Sequence, residues 1–201
     1  MSSRYDFLVE SYRTERIKTL GVWAQIPEER MTYRPEPRAR SPHEHMVHQC
    51  VSEDTWMKTM LGIELERPAL PKEETKVAFL QHYAAASAER LDRLSEKADG
   101  WFEETTRFFD TSRTRAWVLT RRLTHSAHHR GQLTTYLRLW GQALYSTYGP
   151  TADTGGLFQN GAAVIYRYRS IDDLLAGESA GASAPRLPGP GAKSPTERPG
   201  E

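Results

Sequence analysis

Cysteine is nearly missing from this chain, since Cys50 is the single cysteine among 201 residues. One cysteine cannot form a disulfide within the chain, so the composition does not point to an oxidising compartment. The first residues are polar and charged with no apolar run behind them, unlike a secretory signal. We therefore expect a cytoplasmic protein in which Cys50 has a structural role.

Long apolar runs and an excess of one charge are also missing. No stretch reaches the roughly 20 apolar residues that a membrane-spanning helix needs. The 27 basic and 26 acidic residues give a net charge of +1, which creates no field that would attract nucleic acid or an anionic membrane. We expect neither as a partner. Apolar residues make up 38% of the chain and are grouped in periodic segments, which is enough for a core.

The apolar spacing predicts four main helices, at about residues 5–25, 41–61, 72–97 and 112–140. The start of the second is the clearest, with Ser41 as N-cap, Pro42 in the first helical position and Glu44 three residues after the cap. Four helices of this length with short connections indicate an all-α four-helix bundle.

The remaining segments are less regular. Residues 101–110 are aromatic and rich in threonine, and either a short hairpin or an irregular loop fits them. Residues 148–156 have turn composition, and a last turn of helix is possible at 170–175. From residue 177 to 201 the chain is mostly Gly, Ala, Pro and Ser. We therefore predict a helical domain over residues 1–176, with an irregular C-terminal extension, and a disordered tail over 177–201.

The most informative motif lies in the fourth predicted helix. His125 and His129 are four residues apart, so on a helix they lie one turn apart on the same face. His48 is a lone histidine on the second helix, where it shares a polar face with Glu44. Three histidines from two helices, with no fourth protein ligand evident, describe an open metal site. Ser126 stands where a zinc-protease motif requires glutamate.

A plainer interpretation also fits, because a pair of histidines with this spacing on a helix is more often incidental than metal-binding. The other histidines suggest less. We expect His43 and His45 to be solvated in the first turn of the second helix, and His82 to lie at the surface or in packing on the third. His128 either supports one of the ligand histidines without binding the ion itself, or is merely their neighbour in the sequence.

Three segments together resemble the DinB/YfiT-like metalloenzyme family. They are His-Ser-Ala-His-His-Arg-Gly-Gln at 125–132, Ser-Pro-His-Glu-His-Met-Val-His at 41–48 with Glu53 and Trp56 after it, and Tyr-Gly-Pro-Thr-Ala-Asp at 148–153. The resemblance covers about residues 5–155. It implies a four-helix bundle, usually a homodimer, that binds one divalent metal ion through the residues matching His48, His125 and His129. Better understood relatives are transferases and isomerases that use low-molecular-weight thiols such as mycothiol or bacillithiol.

These observations lead to a chemical hypothesis. Zinc or nickel is the ion that an all-imidazole site favours. Such an ion lowers the pKa of a bound water or ionises a thiol. We expect a thiol S-transferase that joins a small thiol to an electrophilic substrate. The candidates for binding an anionic part of the substrate are Arg121, Arg122 and Arg130, and those for orienting ligands are Glu44 and Gln132.

Other interpretations stay open. Arg130 also fits a structural role at the surface of the bundle. The protein is alternatively a metal-dependent hydrolase, or a non-catalytic metal-binding protein of a stress response. No histidine or carboxylate is clearly placed as a general base, and Glu44 is the nearest candidate. Metal-centred activation is therefore favoured over proton abstraction by the protein.

Overall fold

The computed structural model of the protein describes residues 3–181, 184–194 and 196, and it is mostly helical. The expectation of an all-α protein is corrected by one two-stranded antiparallel sheet. In chain order the elements are α1 (Asp6–Ala24), α2 (Pro42–Thr59), α3 (Lys76–Ser95), α4 (Asp99–Glu103), β1 (Thr105–Phe108), β2 (Thr111–Thr114), α5 (Arg115–Leu139) and α6 (Ile171–Ala180).

Helix α2 begins as its sequence predicts. The Oγ of Ser41 accepts a hydrogen bond from the Glu44 backbone N–H at 3.3 Å, and Glu44 Oε2 accepts one from the Ser41 N–H at 2.9 Å. This reciprocal capping box satisfies two backbone donors that the first turn would otherwise leave without partners. The cap fixes where α2 starts, and hence which turn carries His48.

Helix α3 begins four residues later than predicted. Thr75 is its N-cap and accepts a hydrogen bond from the Ala78 N–H at 3.2 Å, while residues 72, 73 and 75 form bends. A threonine hydroxyl can accept this bond, and the side chain of Lys72 cannot. The predicted start was wrong because apolar spacing alone does not mark the first residue of a helix.

The segment between α3 and α5 is a hairpin preceded by a short helix. Strands β1 and β2 pair from Thr105↔Thr114 to Phe108↔Thr111, so the hairpin is the alternative that the structure supports. The turn holds Phe109 at a φ of 52°. Helix α4 was not predicted, and its fully buried Phe102 stacks on Tyr5 at a ring-centroid distance of 4.8 Å.

The long helices pack side by side, α1 and α2 each against both α3 and α5. One buried apolar cluster is centred on Trp23, Phe79 and Leu133, and another on Met57, Leu94 and Leu119.

A buried carboxylate ties these helices together. Both Glu53 oxygens on α2 accept hydrogen bonds, from Tyr12 Oη of α1 at 2.6 Å and from Tyr83 Oη of α3 at 3.0 Å. Two buried guanidinium groups neutralise its charge, Arg90 at 3.4 Å and Arg122 at 3.8 Å. Burial of a carboxylate is costly unless it is paired in this way. The network therefore favours one rotation of α2, the helix that carries His48.

The first residues of the predicted C-terminal tail, 177–201, are helical. Helix α6 extends to Ala180, so residues 177–180 are helical and do not belong to an irregular tail. Glu178 anchors the helix through Lys76 of α3 at 2.8 Å. Of the predicted tail, residues 182–183, 195 and 197–201 lie outside the described residues. Within the described ranges, no helix has both the length and the apolar character to cross a membrane.

Candidate metal centre

Three histidines from α2 and α5 converge at the interface of these two helices. The Nε2 atom of His125 lies 3.3 Å from Nε2 of His48 and 3.3 Å from Nε2 of His129. One ligand atom from each of the three residues lies within 4.8 Å of the other two. His129 is buried, whereas His48 and His125 are half-buried. Residues 77 positions apart in the chain therefore form one site, and this site can hold a metal ion.

The spacing of these nitrogens fits an ion. Two nitrogens bonded to zinc at about 2.0–2.1 Å with tetrahedral angles lie roughly 3.3–3.4 Å apart. The two shortest separations in the triad match that spacing. A cation between the rings would accept the lone pairs of all three nitrogens, which one shared proton cannot do. The donor set is therefore suited to a divalent ion.

The charge state of the rings also fits. Burial, followed by the charge of Arg122, lowers the pKa of His125 to about 3. Burial lowers the pKa of His129 to about 4, against the opposing effect of its hydrogen bond with Gln132. Burial and the charges of Arg40 and Arg122 lower the pKa of His48. The rings are therefore neutral near pH 7, as imidazole ligands must be.

Gln132 sets the orientation of one ring. Its Oε1 lies 2.9 Å from His129 Nδ1, so an Nδ1–H there donates to the amide oxygen. The Nε2 of His129 then keeps its lone pair and faces the other two histidines. This is the partner that metal-binding histidines usually have on their second nitrogen.

An aromatic wall covers His125. The ring of Trp56 lies 5.5 Å from that of His125, and Phe108 and Phe109 of the hairpin lie edge-on against Trp56 at 5.2 and 6.1 Å. Phe109 is 63% exposed. The hairpin thus packs against Trp56, whose ring lies beside His125, and the composition of 101–110 did not reveal this contact.

His45 contradicts the expectation that it is solvated. Its side chain is 2% exposed, with its ring 5.2 Å from that of His129 and 5.9 Å from that of Tyr136. Burial lowers its pKa to about 3. Its position three residues before His48 turns it toward α5, and helical periodicity on α2 alone does not reveal where α5 packs.

Of the three candidate anion-binding arginines, Arg122 and Arg130 are fully buried, and each already has partners. Arg122 donates to Ser52 Oγ at 2.8 Å and to Ser126 Oγ at 3.0 Å, in addition to facing Glu53. Arg121 is exposed, and its guanidinium lies 3.5 Å from the hydroxyl of Thr124.

Arg130 lies in the protein interior, which corrects its alternative placement at the bundle surface. It contacts the Glu15 carboxylate and the Tyr148 hydroxyl, and donates to Thr19 Oγ1 at 2.9 Å. It therefore joins α1 to α5 and to the loop at 148–153.

The remaining candidates lie outside the triad. Glu44 caps α2 and pairs with Arg34, whose hydrogen bond holds the pKa of the Glu44 carboxyl below its usual range. His128 is exposed, with its ring 5.0 Å from that of His129. Cys50 is buried, and burial raises the pKa of its thiol. It is therefore suited to packing and not to ligation.

Arg40 was not among the site residues predicted from the sequence. This residue lies in the connector before α2, and its exposed side chain lines the same groove as His48. The signal was present in the sequence, because residues 34, 38 and 40 are all arginine. Only the folded chain shows that they lie beside a histidine.

The site and the fold now agree with a family assignment. The sequence model of the DinB family matches residues 1–156, and the chain belongs to that family. No curated protein matches the sequence.

Two solved structures share the fold. A DinB-like protein of Bacillus cereus ATCC 10987 superposes with a TM-score of 0.64 at 18% sequence identity. The superposition covers 74% of this chain and 100% of the Bacillus cereus chain. The DinB-like protein YjoA of Bacillus subtilis superposes with a TM-score of 0.56 at 18% identity, covering 70% of this chain and 96% of its own. At such identities the likeness supports the fold alone.

Proposed function

We propose that His48, His125 and His129 bind one divalent metal ion, zinc or nickel, within a four-helix bundle formed by the long helices. The observation that supports this best is the convergence of three neutral Nε2 atoms, with the two shortest separations at 3.3 Å. Three protein ligands leave at least one coordination position open, as in catalytic and not structural zinc sites.

We further propose that the protein is a metal-dependent thiol S-transferase that uses a low-molecular-weight thiol. When bound, an ion held by three neutral ligands keeps its full charge and lowers the pKa of a thiol. Gln132 holds the His129 ring in position, and the wall of Trp56 and Phe108 limits water on the side of His125. Transfer to an electrophile then needs no protein base. We also propose that the protein forms a homodimer and is located in the cytoplasm. We propose neither nucleic acid nor a membrane as a partner.

The second candidate is a metal-dependent hydrolase. A hydrolase of this kind would benefit from a carboxylate beside the metal to accept a proton from water. Among the described residues, the histidine triad includes no carboxylate. Glu53 is buried and paired, and Glu44 is held by Arg34. This arrangement favours thiol chemistry over hydrolysis. A non-catalytic metal-binding role in a stress response is the third candidate.

Metal content tests the site. The protein, purified without a histidine tag, is expected to contain about one zinc or nickel ion per chain by elemental analysis, as a single site requires. His125→Ala removes one of three ligands and should lose most of the metal. His128→Ala is the matched control on the same helix and should keep it. Full metal content in the His125→Ala protein would rule out the proposed ligands.

Activity is a separate measurement. The metal-loaded protein is assayed for transfer of several low-molecular-weight thiols to monochlorobimane, with the His125→Ala protein as blank. Thiol-dependent turnover that His125→Ala abolishes is the expected result. Stoichiometric metal without activity toward any thiol would instead favour the non-catalytic role.

A further inference from the structure

The connector before α2 forms one wall of an open groove beside the triad. The groove is lined by Arg34, Arg38, Arg40, Glu44, Val47, His48 and Val51. Three guanidinium groups and one carboxylate give this surface an excess of positive charge, although the whole chain is nearly neutral. A ligand that contacts His48 therefore enters a locally cationic environment.

The three arginines differ in their pairing. Arg34 pairs with the Glu44 carboxylate. Arg38 pairs with Glu36 at 3.0 Å. For Arg40, no ion pair or side-chain hydrogen bond is found within the part of the chain that the structure describes. Arg40 nevertheless lines the same groove as His48, one of the three histidines of the triad. Arg40 is thus an unpaired cation in the groove that reaches the candidate metal centre.

The backbone around Arg40 is held in place while its side chain is free. The Tyr136 hydroxyl of α5 donates to the Arg40 carbonyl at 2.9 Å. Arg34 Nη1 donates to the Ala39 carbonyl at 2.6 Å. Pro35 and Pro37 further restrict the connector. A guanidinium on a fixed backbone loses less conformational entropy when it binds a ligand.

We propose that this groove binds an oxyanion group, carboxylate or phosphate, of the small molecule used at the triad, and that Arg40 is the residue that recognises it. The inference rests on the proposed function, and it narrows the substrate class to anionic thiols or electrophiles. A guanidinium matches the geometry of a carboxylate or phosphate with two parallel hydrogen bonds. Arg40 would thus bind the anionic part of the substrate, the role that the sequence predicted for Arg121, Arg122 or Arg130.

The first experiment does not depend on the metal. The metal-free protein is titrated with acetate and with inorganic phosphate while the arginine Nε–Hε signals are followed by ¹⁵N NMR. The Arg40 signal is expected to shift at lower anion concentration than that of Arg93, an exposed arginine on α3. The anion that shifts the Arg40 signal at the lower concentration is the preferred oxyanion. Equal responses from Arg40 and Arg93 would overturn the assignment of an anion site.

The second experiment places the anion site beside the metal. In the cobalt(II)-loaded protein, near-ultraviolet absorption of the cobalt–sulfur bond reports binding of 3-mercaptopropionate or of neutral 2-mercaptoethanol. Arg40→Gln is expected to weaken binding of the anionic thiol roughly tenfold relative to the neutral one, the usual scale for a hydrogen bond to a charged group. Arg93→Gln removes the same charge elsewhere and should leave the ratio unchanged.

The outcomes separate the two proposals. If wild type binds no cobalt, the proposed function fails, and the NMR titration still decides whether the groove binds anions. If Arg40→Gln takes up cobalt normally and keeps the wild-type ratio of thiol affinities, the inference about the groove fails while the metal site stands. Because the Arg40 side chain is exposed, the variant is expected to fold.

Discussion

Gln132 illustrates how the proposed metal site depends on a residue that is not one of its ligands. It lies three residues after His129 on α5, and its amide oxygen lies 2.9 Å from His129 Nδ1. Without that partner, the ring can rotate or place its proton on Nε2, and either change removes a ligand lone pair from the site. Sequence spacing on one helix was sufficient to nominate Gln132, because both residues belong to the same turn.

We expect Gln132→Leu to weaken zinc affinity about 10- to 100-fold, the usual effect of losing such a partner. Leucine fills a similar volume but accepts no hydrogen bond from His129 Nδ1. Competition with a chromogenic chelator measures the affinity. Gln132→Glu supplies a carboxylate acceptor at the same place and should restore most of it. Equal affinity for wild type and Gln132→Leu would show that this hydrogen bond does not orient the ligand.

His45 and Arg122 show where residue-level reasoning failed. We expected His45 to be solvated and Arg122 to bind an anionic part of the substrate, but both are buried against neighbours from other helices. Periodicity tells which residues share a face, but the depth of each depends on which helix packs there and at what rotation. Arg122 in particular is held by Ser52 and Glu53 of α2, contacts that no single-helix pattern contains.

At the level of elements, one carboxylate adds a polar anchor to α6, whose Leu174 is buried in the apolar core. Glu178 is 6% exposed and accepts hydrogen bonds from Lys76 of α3, Arg167 and Tyr168. Burial alone would raise the pKa of Glu178, but the bonds from Lys76 and Tyr168 and the two positive charges outweigh it and lower the pKa. Ionised Glu178 therefore stabilises the contact between α6 and α3.

We expect Glu178→Gln to lower the free energy of unfolding by about 1–3 kcal/mol at pH 7, since charge-assisted bonds are lost. Because the folded-state pKa is depressed, the contribution of Glu178 is fully present above the unfolded pKa of about 4.3 and is lost as pH falls through the folded value. Denaturation with urea between pH 7 and pH 3.5 measures this dependence.

The control for that prediction is Glu10→Gln, which removes an exposed ion pair with Arg13 and should cost at most about 1 kcal/mol. A difference between Glu178→Gln and wild type that stays constant down to pH 3.5 would contradict the role assigned to ionised Glu178.

Local signals predicted element boundaries unevenly. The start of α2 was predictable because three nearby residues mark it. Ser41 and Glu44 form the capping box, and Pro42 occupies the first helical position. The start of α3 was misplaced because apolar spacing alone did not identify Thr75 as the N-cap. Helix α4 is too short for periodicity to detect, and it is held by the stacking of Phe102 on Tyr5, a contact distant in sequence.

At the level of the whole molecule, the triad is a link between α2 and α5. His48 and His125 are 77 residues apart, so an ion between them would cross-link the folded chain. The unfolded chain does not hold the three imidazoles together, and binding free energy therefore adds to folding stability. The buried Glu53 network brings the same two helices together before any ion binds.

We expect zinc to stabilise the protein against unfolding by about 2.7 kcal/mol when the free ion is at 100 times its Kd. Thermal unfolding with zinc and with a chelator measures the shift in Tm. His125→Ala should show no shift at the same zinc concentration. A zinc-dependent shift in wild type that His125→Ala retains in full would place the stabilising ion elsewhere.

Three features are predictable from the order of the amino acids: the mostly helical fold, the start of α2 and the three candidate histidines. Each depends on residues close together in one helix or on a motif with a family resemblance. Tertiary structure decided which polar residues are available. Helix packing buried His45, Arg122 and Arg130 against partners from distant segments. It also brought the connector against α5, where the Tyr136 hydroxyl holds the Arg40 carbonyl. Burial and pairing are properties of neighbours that fold together, and helical spacing alone does not contain them.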